Sequence, residues 1–147
     1  MTLDGDAKEV TVAIGNKVFV YGTLRKGFGN HELLGSSTLL GKAITESKYT
    51  MLHLGGFPGV VKGGDTSITG EIYECDDQCV KRLDFLESHP EFYTRQMILV
   101  LPVNSGDDQE ASWEEVQTYL LPEKWLDSKQ KVIVSGDWAR KSDWRQA

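Results

Sequence analysis

The sequence has few of the features that mark exported, membrane-bound or metal-binding proteins. It has only two cysteines, Cys75 and Cys79, and their spacing matches neither a CxxC redox pair nor a zinc-binding pair, so we expect reduced, partly buried thiols. No apolar run is long enough to span a bilayer. The polar, acidic start lacks the basic and apolar regions of an export signal. These absences predict a cytoplasmic protein with no membrane partner.

Basic residues are also too few to form an electropositive surface. The 16 lysines and arginines are outnumbered by 22 acidic residues, for a formal net charge of −6. That balance argues against nucleic acid as a main partner. The three histidines, His31, His53 and His89, lack the spacing of metal ligands, so no metal site is expected.

What the sequence does contain is enough apolar material for one folded domain. Hydrophobic residues make up 39% and charged residues 26% of the 147 residues, which is typical of a single globular domain. We expect the segment 1–16 to be a flexible leader or one arm of a hairpin. The segment 17–147 is then predicted to be a single domain.

Strand patterns outnumber helix patterns along the chain. About six strand-like runs are visible, at 17–21, 37–45, 49–54, 66–74, 92–103 and 113–121. Two or three short helices accompany them, one of them capped by Asn30. The clearest helix starts at Asp76, as cap or first turn, and is expected to end at Pro90. The pattern predicts an α+β fold with a curled mixed sheet or small barrel.

Glu87 is the strongest candidate for a proton-transferring group. It follows Val80 by seven residues, almost two helical turns, so it projects from the helix face that buries Val80 and Leu83. Burial and the negative end of the helix dipole both raise the pKa of a carboxyl group in that position. Such a carboxyl can accept and return a proton near neutral pH.

Two alternatives to this interpretation stay open. In one, Glu87 lies in solvent at the exposed helix end or pairs with Arg82 or Arg95. In the other, Asp84 is the functional acid; it lies about 40° around the helix from Val80, nearer the boundary of the buried face.

A glycine-rich loop, 22–30, follows the first clear strand. Such a loop can turn several backbone N–H groups toward one point and form an anion pocket or an oxyanion hole. A phosphate-binding P-loop is excluded because Phe28 stands where lysine is required. The other interpretation is a turn whose glycines serve only chain geometry. We expect Arg25 and Lys26 to form a solvated loop tip.

Three segments, taken in order, resemble the γ-glutamyl cyclotransferase-like family, which includes plant proteins named for avirulence-induced gene 2. The segments are 18–27 (VFVYGTLRKG) with Asn30 after it, 83–87 (LDFLE) followed by 92–95 (FYTR), and 135–138 (SGDW). The resemblance extends from about Lys17 to Trp138, and the γ-glutamylamine cyclotransferases are the most similar branch.

The resemblance implies a small mixed β-barrel of about six strands with two or three flanking short helices. It implies an enzyme without a cofactor that cyclises a γ-glutamyl amide to 5-oxoproline and releases the amine. Glu87 is implied as the catalytic acid and base, and Tyr93 as a residue bordering the pocket. The glutamyl end is implied to be held by the backbone of four residues: Tyr21, Gly22, Thr23 and Leu24.

The resemblance leaves the substrate open. One alternative is a cyclotransferase acting on γ-glutamyl amino acids or glutathione, and another is a non-catalytic relative that binds a small ligand. The segments 41–64 and 104–111 carry little family pattern, and we expect them to shape the leaving-group side. The sequence specifies neither the preferred amine nor the oligomeric state, and a monomer is compatible with it.

Overall fold

The computed structural model describes residues 16–35, 37–103, 112–140 and 144–146. The predicted leader, apart from its last residue, and the loop 104–111 lie outside these ranges. Nine strands and one α-helix are present within them. In chain order they are β1 (Asn16–Val20), β2 (Thr38–Thr45), β3 (Tyr49–His53), β4 (Pro58–Lys62), β5 (Thr69–Cys75), α1 (Asp77–Leu86), β6 (Thr94–Pro102), β7 (Glu114–Leu120), β8 (Lys131–Ile133) and β9 (Trp144–Gln146).

Five of these strands form a small barrel in the order β1–β5–β2–β6–β7. Neighbours in this order are antiparallel, and β7 returns to β1 through a parallel register in which Val18 lies opposite Gln117. Strand β1 therefore has partners on both sides, and its residues from Val18 to Val20 are buried. The loop that follows β1 starts from this fixed point.

The remaining four strands form a second sheet in the order β9–β8–β3–β4. It is joined to the barrel where Val61 of β4 pairs with Leu121, just after β7, and the Leu121 N–H donates to the Val60 carbonyl (2.9 Å). A hydrophobic cluster connects both sheets and includes Phe19 of the barrel and Met51 of the second sheet. This junction holds β4 beside the end of β1.

Helix α1 packs on the barrel through the predicted apolar stripe. The carboxylate of Asp76 accepts a hydrogen bond from the N–H of Cys79 (2.8 Å), which is the predicted N-cap. Cys79, Val80 and Leu83 are buried in one cluster with Val18 of β1. The helix axis is thereby fixed relative to the strand that carries the glycine loop.

The C-terminal end of α1 differs from the prediction. The helix ends at Leu86, so the prediction that it continues to Pro90 is wrong. Ser88 has a positive φ of 53°, which is outside the right-handed helical region, and the N–H of His89 donates to the carbonyl of Asp84 (2.9 Å). Glu87 is left at the turn as the residue that caps the helix.

The predicted α+β class and the small mixed barrel with flanking helices are confirmed, but the strands number nine rather than about six in the described residues. Strand β4 was not predicted because its Pro58 and Gly59 are typical of turns. Strands β8 and β9 were not predicted because three residues are too few to show alternation. In the part of the chain that the structure describes, three 3-10 helices accompany α1, at His31–Leu34, Glu123–Asp127 and Trp138–Arg140. None of the helices in the described ranges combines the length and apolar character needed to cross a membrane.

Candidate active site

A cavity of about 350 Å³ opens between the loop after β1 and the C-terminal end of α1. The six residues predicted to form a site all line it: Tyr21, Gly22, Thr23, Leu24, Glu87 and Tyr93. Residues that lie far apart in the sequence therefore meet at one point. What each can do there depends on its hydrogen bonds and burial.

The first turn of the glycine loop is shaped by contact with β4. A Cβ atom on Gly22 would lie 2.8 Å from both Cγ and Cδ of Pro58, closer than carbon atoms approach one another. Only glycine therefore allows the loop to pass Pro58. The preceding residue, Tyr21, is buried, and its hydroxyl donates to the carbonyl of Tyr119 (2.6 Å), which fixes the start of the loop.

The loop offers backbone donors at the cavity. It is closed by the N–H of Arg25, which donates to the Gly22 carbonyl (3.1 Å), and by Asn30, whose N–H donates to the Thr23 carbonyl (2.9 Å). The side chain of Asn30 also donates to the Thr23 hydroxyl (2.8 Å), and so it does not cap the following turn as predicted. Among the described residues, the amides of Gly22, Thr23 and Leu24 have no acceptor. These three donors are available to a bound anionic or partly charged oxygen.

The back of the loop is held by a buried ionic network. Arg25 is only 5% exposed, so the prediction of a solvated tip is wrong for it, although Lys26 is exposed. The Arg25 guanidinium donates to the carboxylate of Asp137 (2.7 Å). Glu71, also buried, accepts the Lys26 N–H (2.9 Å) and lies 3.9 Å from Arg25 Nε. Asp137 belongs to the SGDW segment, which contributed to the family resemblance but to which the sequence assigned no structural role.

Glu87 is the acid that faces the cavity. Its side chain is partly buried, and loss of water raises its pKa from 4.5 to about 7. No charge or hydrogen bond in the described part of the chain offsets this shift. The carboxyl group is therefore close to half-ionised at neutral pH, where it can both accept and return a proton.

Asp84, the alternative candidate for the functional acid, is hydrogen-bonded to residues outside the catalytic proposal. Arg95 donates to both of its carboxylate oxygens (Nε to Oδ1, 2.9 Å; Nη2 to Oδ2, 3.2 Å), and the Tyr119 hydroxyl donates to Oδ1 (2.6 Å). Burial alone would raise the pKa of Asp84, but these hydrogen bonds hold it below its ordinary value. Asp84 does not line the cavity, and Arg95 pairs with it rather than with Glu87.

The phenols of the cavity act as acceptors. Tyr93 donates its hydroxyl hydrogen to the carbonyl of Pro58 (2.6 Å), and Tyr21 donates its own to Tyr119. A phenol has one hydrogen to donate, so a ligand meets these oxygens as acceptors. Burial first and the charge of Glu87 second raise the pKa of Tyr93, which keeps it neutral. Tyr119 was not predicted as a site residue, since nothing in its strand distinguishes it from a core aromatic residue.

The cysteines and histidines lie apart from this chemistry. Cys75 and Cys79 are free, buried thiols on either side of the Ser37 hydroxyl (3.3 and 3.2 Å). His31 contacts the Leu24 carbonyl through Nδ1 (3.0 Å), and Nδ1 of His89 accepts the N–H of Arg95 (3.0 Å). Over the described ranges, no group of three or more His, Cys, Asp or Glu residues could hold a metal ion.

Comparisons of the sequence and of the structure with known proteins point to one family. A family model described as gamma-glutamyl cyclotransferase, AIG2-like, matches residues 18–140. A Methanocaldococcus jannaschii protein provisionally named a gamma-glutamylcyclotransferase is 42% identical over 123 residues, which cover 82% of this chain and 93% of that protein. A gamma-glutamylcyclotransferase family protein of Escherichia coli is 35% identical over 122 residues, or 83% of this chain and 95% of its own length. The crystal structure of a mouse AIG2-like protein superposes with a TM-score of 0.66 at 26% identity, covering 78% of this chain and 84% of that one.

Proposed function

This chain belongs to the gamma-glutamyl cyclotransferase, AIG2-like family, and from that premise we propose that it is a γ-glutamylamine cyclotransferase. The proposed reaction converts a γ-glutamyl amide into 5-oxoproline and a free amine. One observation carries the proposal: Glu87, with a pKa of about 7, shares a cavity with Gly22, Thr23 and Leu24, whose amides have no acceptor among the described residues. A proton-transferring group and a set of oxygen-binding donors are what this reaction needs.

The substrate supplies its own nucleophile. The α-nitrogen of the glutamyl group attacks its own γ-carbonyl carbon, the new C–N bond closes a five-membered ring, and the bond to the leaving nitrogen breaks. The α-nitrogen loses as many protons as the leaving nitrogen gains, so the reaction consumes no water and needs no oxidant or reductant. Holding the two reacting atoms in contact gives this intramolecular attack a high effective molarity.

Glu87 is proposed to move the protons. As a carboxylate it takes one proton from the α-ammonium group, because the ammonium form cannot attack, and gives it to the leaving nitrogen as the C–N bond breaks. The second proton, which the α-nitrogen loses as it becomes the lactam N–H, follows the same route and converts the released amine to its ammonium form. The oxygens of Tyr21 and Tyr93, whose hydrogens are already donated elsewhere, can accept from the α-amine and orient it beside Glu87.

The loop amides are proposed to bind the oxygen atoms of the substrate. The amides of Gly22, Thr23 and Leu24 can stabilise the oxygen that gains charge as the ring closes, or they can hold the α-carboxylate of the glutamyl group. Both uses place a negatively charged oxygen at the same donors. Their position depends on Gly22, which passes Pro58 closely, and on the network behind Arg25.

The charges of the cavity favour an amine over an amino acid as the leaving group. In a γ-glutamyl amino acid a carboxylate, and in glutathione a peptide group, is attached to the carbon that bears the leaving nitrogen. No lysine, arginine or histidine is found among the described residues that line the cavity, and its one ionisable carboxyl is Glu87. A second carboxylate next to Glu87 would lack a cationic partner and would be repelled.

Release of 5-oxoproline tests the proposal directly. We expect the protein to form it from the γ-glutamyl amide of a simple amine faster than from γ-glutamyl amino acids or glutathione. Glu87→Gln should keep the fold and lower turnover by about 10² to 10⁴-fold. Glu115→Gln is the matched control, because Glu115 is exposed on β7 and lies outside the cavity. Turnover by Glu87→Gln at the wild-type rate would exclude Glu87 as the proton carrier, and binding without any turnover would indicate a non-catalytic relative.

A further inference from the structure

A second depression, of about 390 Å³, lies next to the candidate active site. It is an open groove lined by Glu91, Phe92, Pro122, Lys124, Trp125 and Ser128. Phe92 also lines the active-site cavity, so its ring forms part of the wall of both. The groove therefore adjoins the cavity at this residue.

Three aromatic rings connect the cavity with the groove. The ring of Phe57 lies 6.5 Å from that of Phe92, and the ring of Phe92 lies 5.8 Å from that of Trp125, both in edge-to-face arrangements. Phe57 is 39% exposed, so part of its ring is accessible to a ligand. An apolar surface of this kind beside a reactive cavity is typical of ligand contact.

The residues that line the cavity differ in exposure. Gly22 and Leu24 of the loop are buried, whereas Gly56, Phe57 and Ser88 are exposed. A glutamyl group bound at the loop amides with its γ-carbonyl beside Glu87, as proposed above, leaves the exposed part of the wall to the atoms beyond the scissile bond. In this binding mode the leaving amine lies beside Phe57 and Phe92.

We propose that the groove formed by Phe92, Pro122 and Trp125 is the subsite for the carbon substituent of the leaving amine. This inference rests on the proposed cyclotransferase function and adds its substrate class: γ-glutamyl amides of amines that carry an extended alkyl or aromatic group. Phe92, Pro122 and Trp125 give the groove an apolar wall; Ser128 is its uncharged polar residue, and its two charged residues, Glu91 and Lys124, are exposed. Burial of the substituent against Trp125 supplies binding free energy that a small amine lacks.

A pair of substrates that differ only beyond the leaving nitrogen tests the subsite. We expect wild-type kcat/KM to be about tenfold higher or more for γ-glutamylbenzylamide than for γ-glutamylmethylamide. Trp125→Ala should reduce this ratio by about tenfold. The methylamide value in each variant reports any damage to the catalytic cavity itself. Trp113→Ala is the matched control, because Trp113 is 48% exposed and lines neither cavity nor groove, and it should keep the wild-type ratio.

The possible results test the proposed subsite and the proposed cyclotransferase activity separately. A wild-type protein that turns over the methylamide without preferring the benzylamide overturns the subsite alone, as does a ratio that Trp125→Ala leaves unchanged. If neither amide yields 5-oxoproline, the proposed function is overturned as well. Trp125 packs partly against the core, so Trp125→Leu repeats the measurement with an apolar side chain in place if circular dichroism shows that the alanine variant does not fold.

Discussion

Glu87 and Asp84 lie three residues apart at the end of one helix, yet their carboxyl pKa values are shifted in opposite directions. Glu87 faces the cavity, and burial raises its pKa to about 7. Asp84 lies partly buried at the side of the helix, where hydrogen bonds from Arg95 and Tyr119 lower its pKa. Two acids with separated pKa values have separate roles. Glu87 is suited to exchange protons, whereas Asp84 remains charged and holds β6 and β7 against α1.

The pH dependence of turnover should report the ionisation of Glu87. Only the carboxylate form can accept a proton, so kcat/KM is expected to fall as the pH drops through about 7. The measurement is kcat/KM for γ-glutamylmethylamide between about pH 5 and about pH 9. Glu115→Gln should keep the same acid limb. An acid limb near pH 4.5, the ordinary value for glutamate, would contradict the assignment.

The ionisation of Glu87 should also make the stability of the protein depend on pH, in the opposite sense to turnover. The pKa of Glu87 is higher in the folded protein than the unfolded value of 4.5, so the folded state binds more protons between pH 4.5 and about 7. This group therefore makes the free energy of unfolding fall as the pH rises through that interval. Glu87→Gln removes the buried charge and should be more stable than wild type at about pH 8, by up to about 3 kcal/mol.

Urea unfolding of both proteins at about pH 4 and about pH 8 measures this difference. At the lower pH the two should be nearly equally stable, because Glu87 is then largely protonated. A stability difference that is the same at both pH values would show that glutamine changes packing rather than charge.

The close approach of Gly22 to Pro58 predicts a strong effect of one added methyl group. In Gly22→Ala the new Cβ would lie 2.8 Å from two carbon atoms of the Pro58 ring, so the loop must shift. We expect a loss of about 1–3 kcal/mol in stability and of about tenfold or more in kcat, since the loop amides move away from the substrate.

Gly29→Ala provides the control within the same loop. A Cβ at Gly29 meets no described atom within 4 Å, and its φ is not in the left-handed region. We expect its kcat and unfolding free energy to stay close to those of wild type. Equal losses in the two variants would show that the loop tolerates no substitution, rather than that Gly22 has a specific contact.

The pairing of Arg25 with Asp137 predicts that the C-terminal segment supports the loop. Asp137→Asn leaves the buried guanidinium without its closest carboxylate, and we expect it to lower stability by about 2 kcal/mol and to reduce kcat. The matched control is Glu114→Gln, which breaks the exposed ion pair with Lys17 and should change stability by less than about 1 kcal/mol. Urea unfolding and 5-oxoproline release measure both effects. Similar results for the two variants would argue against support of the loop by Asp137.

Local rules account for the parts of the site that were predictable. The cap at Asp76 and the buried positions Val80 and Leu83 follow from helical periodicity, and they place Glu87 near the strand that carries the glycine loop. The loop itself was visible because a strand pattern gives way to glycines after Val20. Each of these features depends on residues within about two helical turns of one another.

The missed features depend on residues far apart in the chain. Arg25 was predicted to lie in solvent because its partner Asp137 is 112 positions away, and no local pattern connects the two. Tyr119, which accepts from Tyr21 and donates to Asp84, has the sequence context of any core aromatic residue. Pairings of this kind become visible only when the strands take their order in the barrel.

The sequence by itself determined which chemical groups the protein can use: an acid near the end of a helix, either Glu87 or Asp84, and a glycine loop after a strand. The tertiary structure decided that the two meet at one cavity, that Glu87 rather than Asp84 faces it, and that its pKa rises to about 7. The reason is physical. A pKa shift arises from the water and charges that surround a group, and at Glu87 those surroundings come from distant segments that the fold brings together.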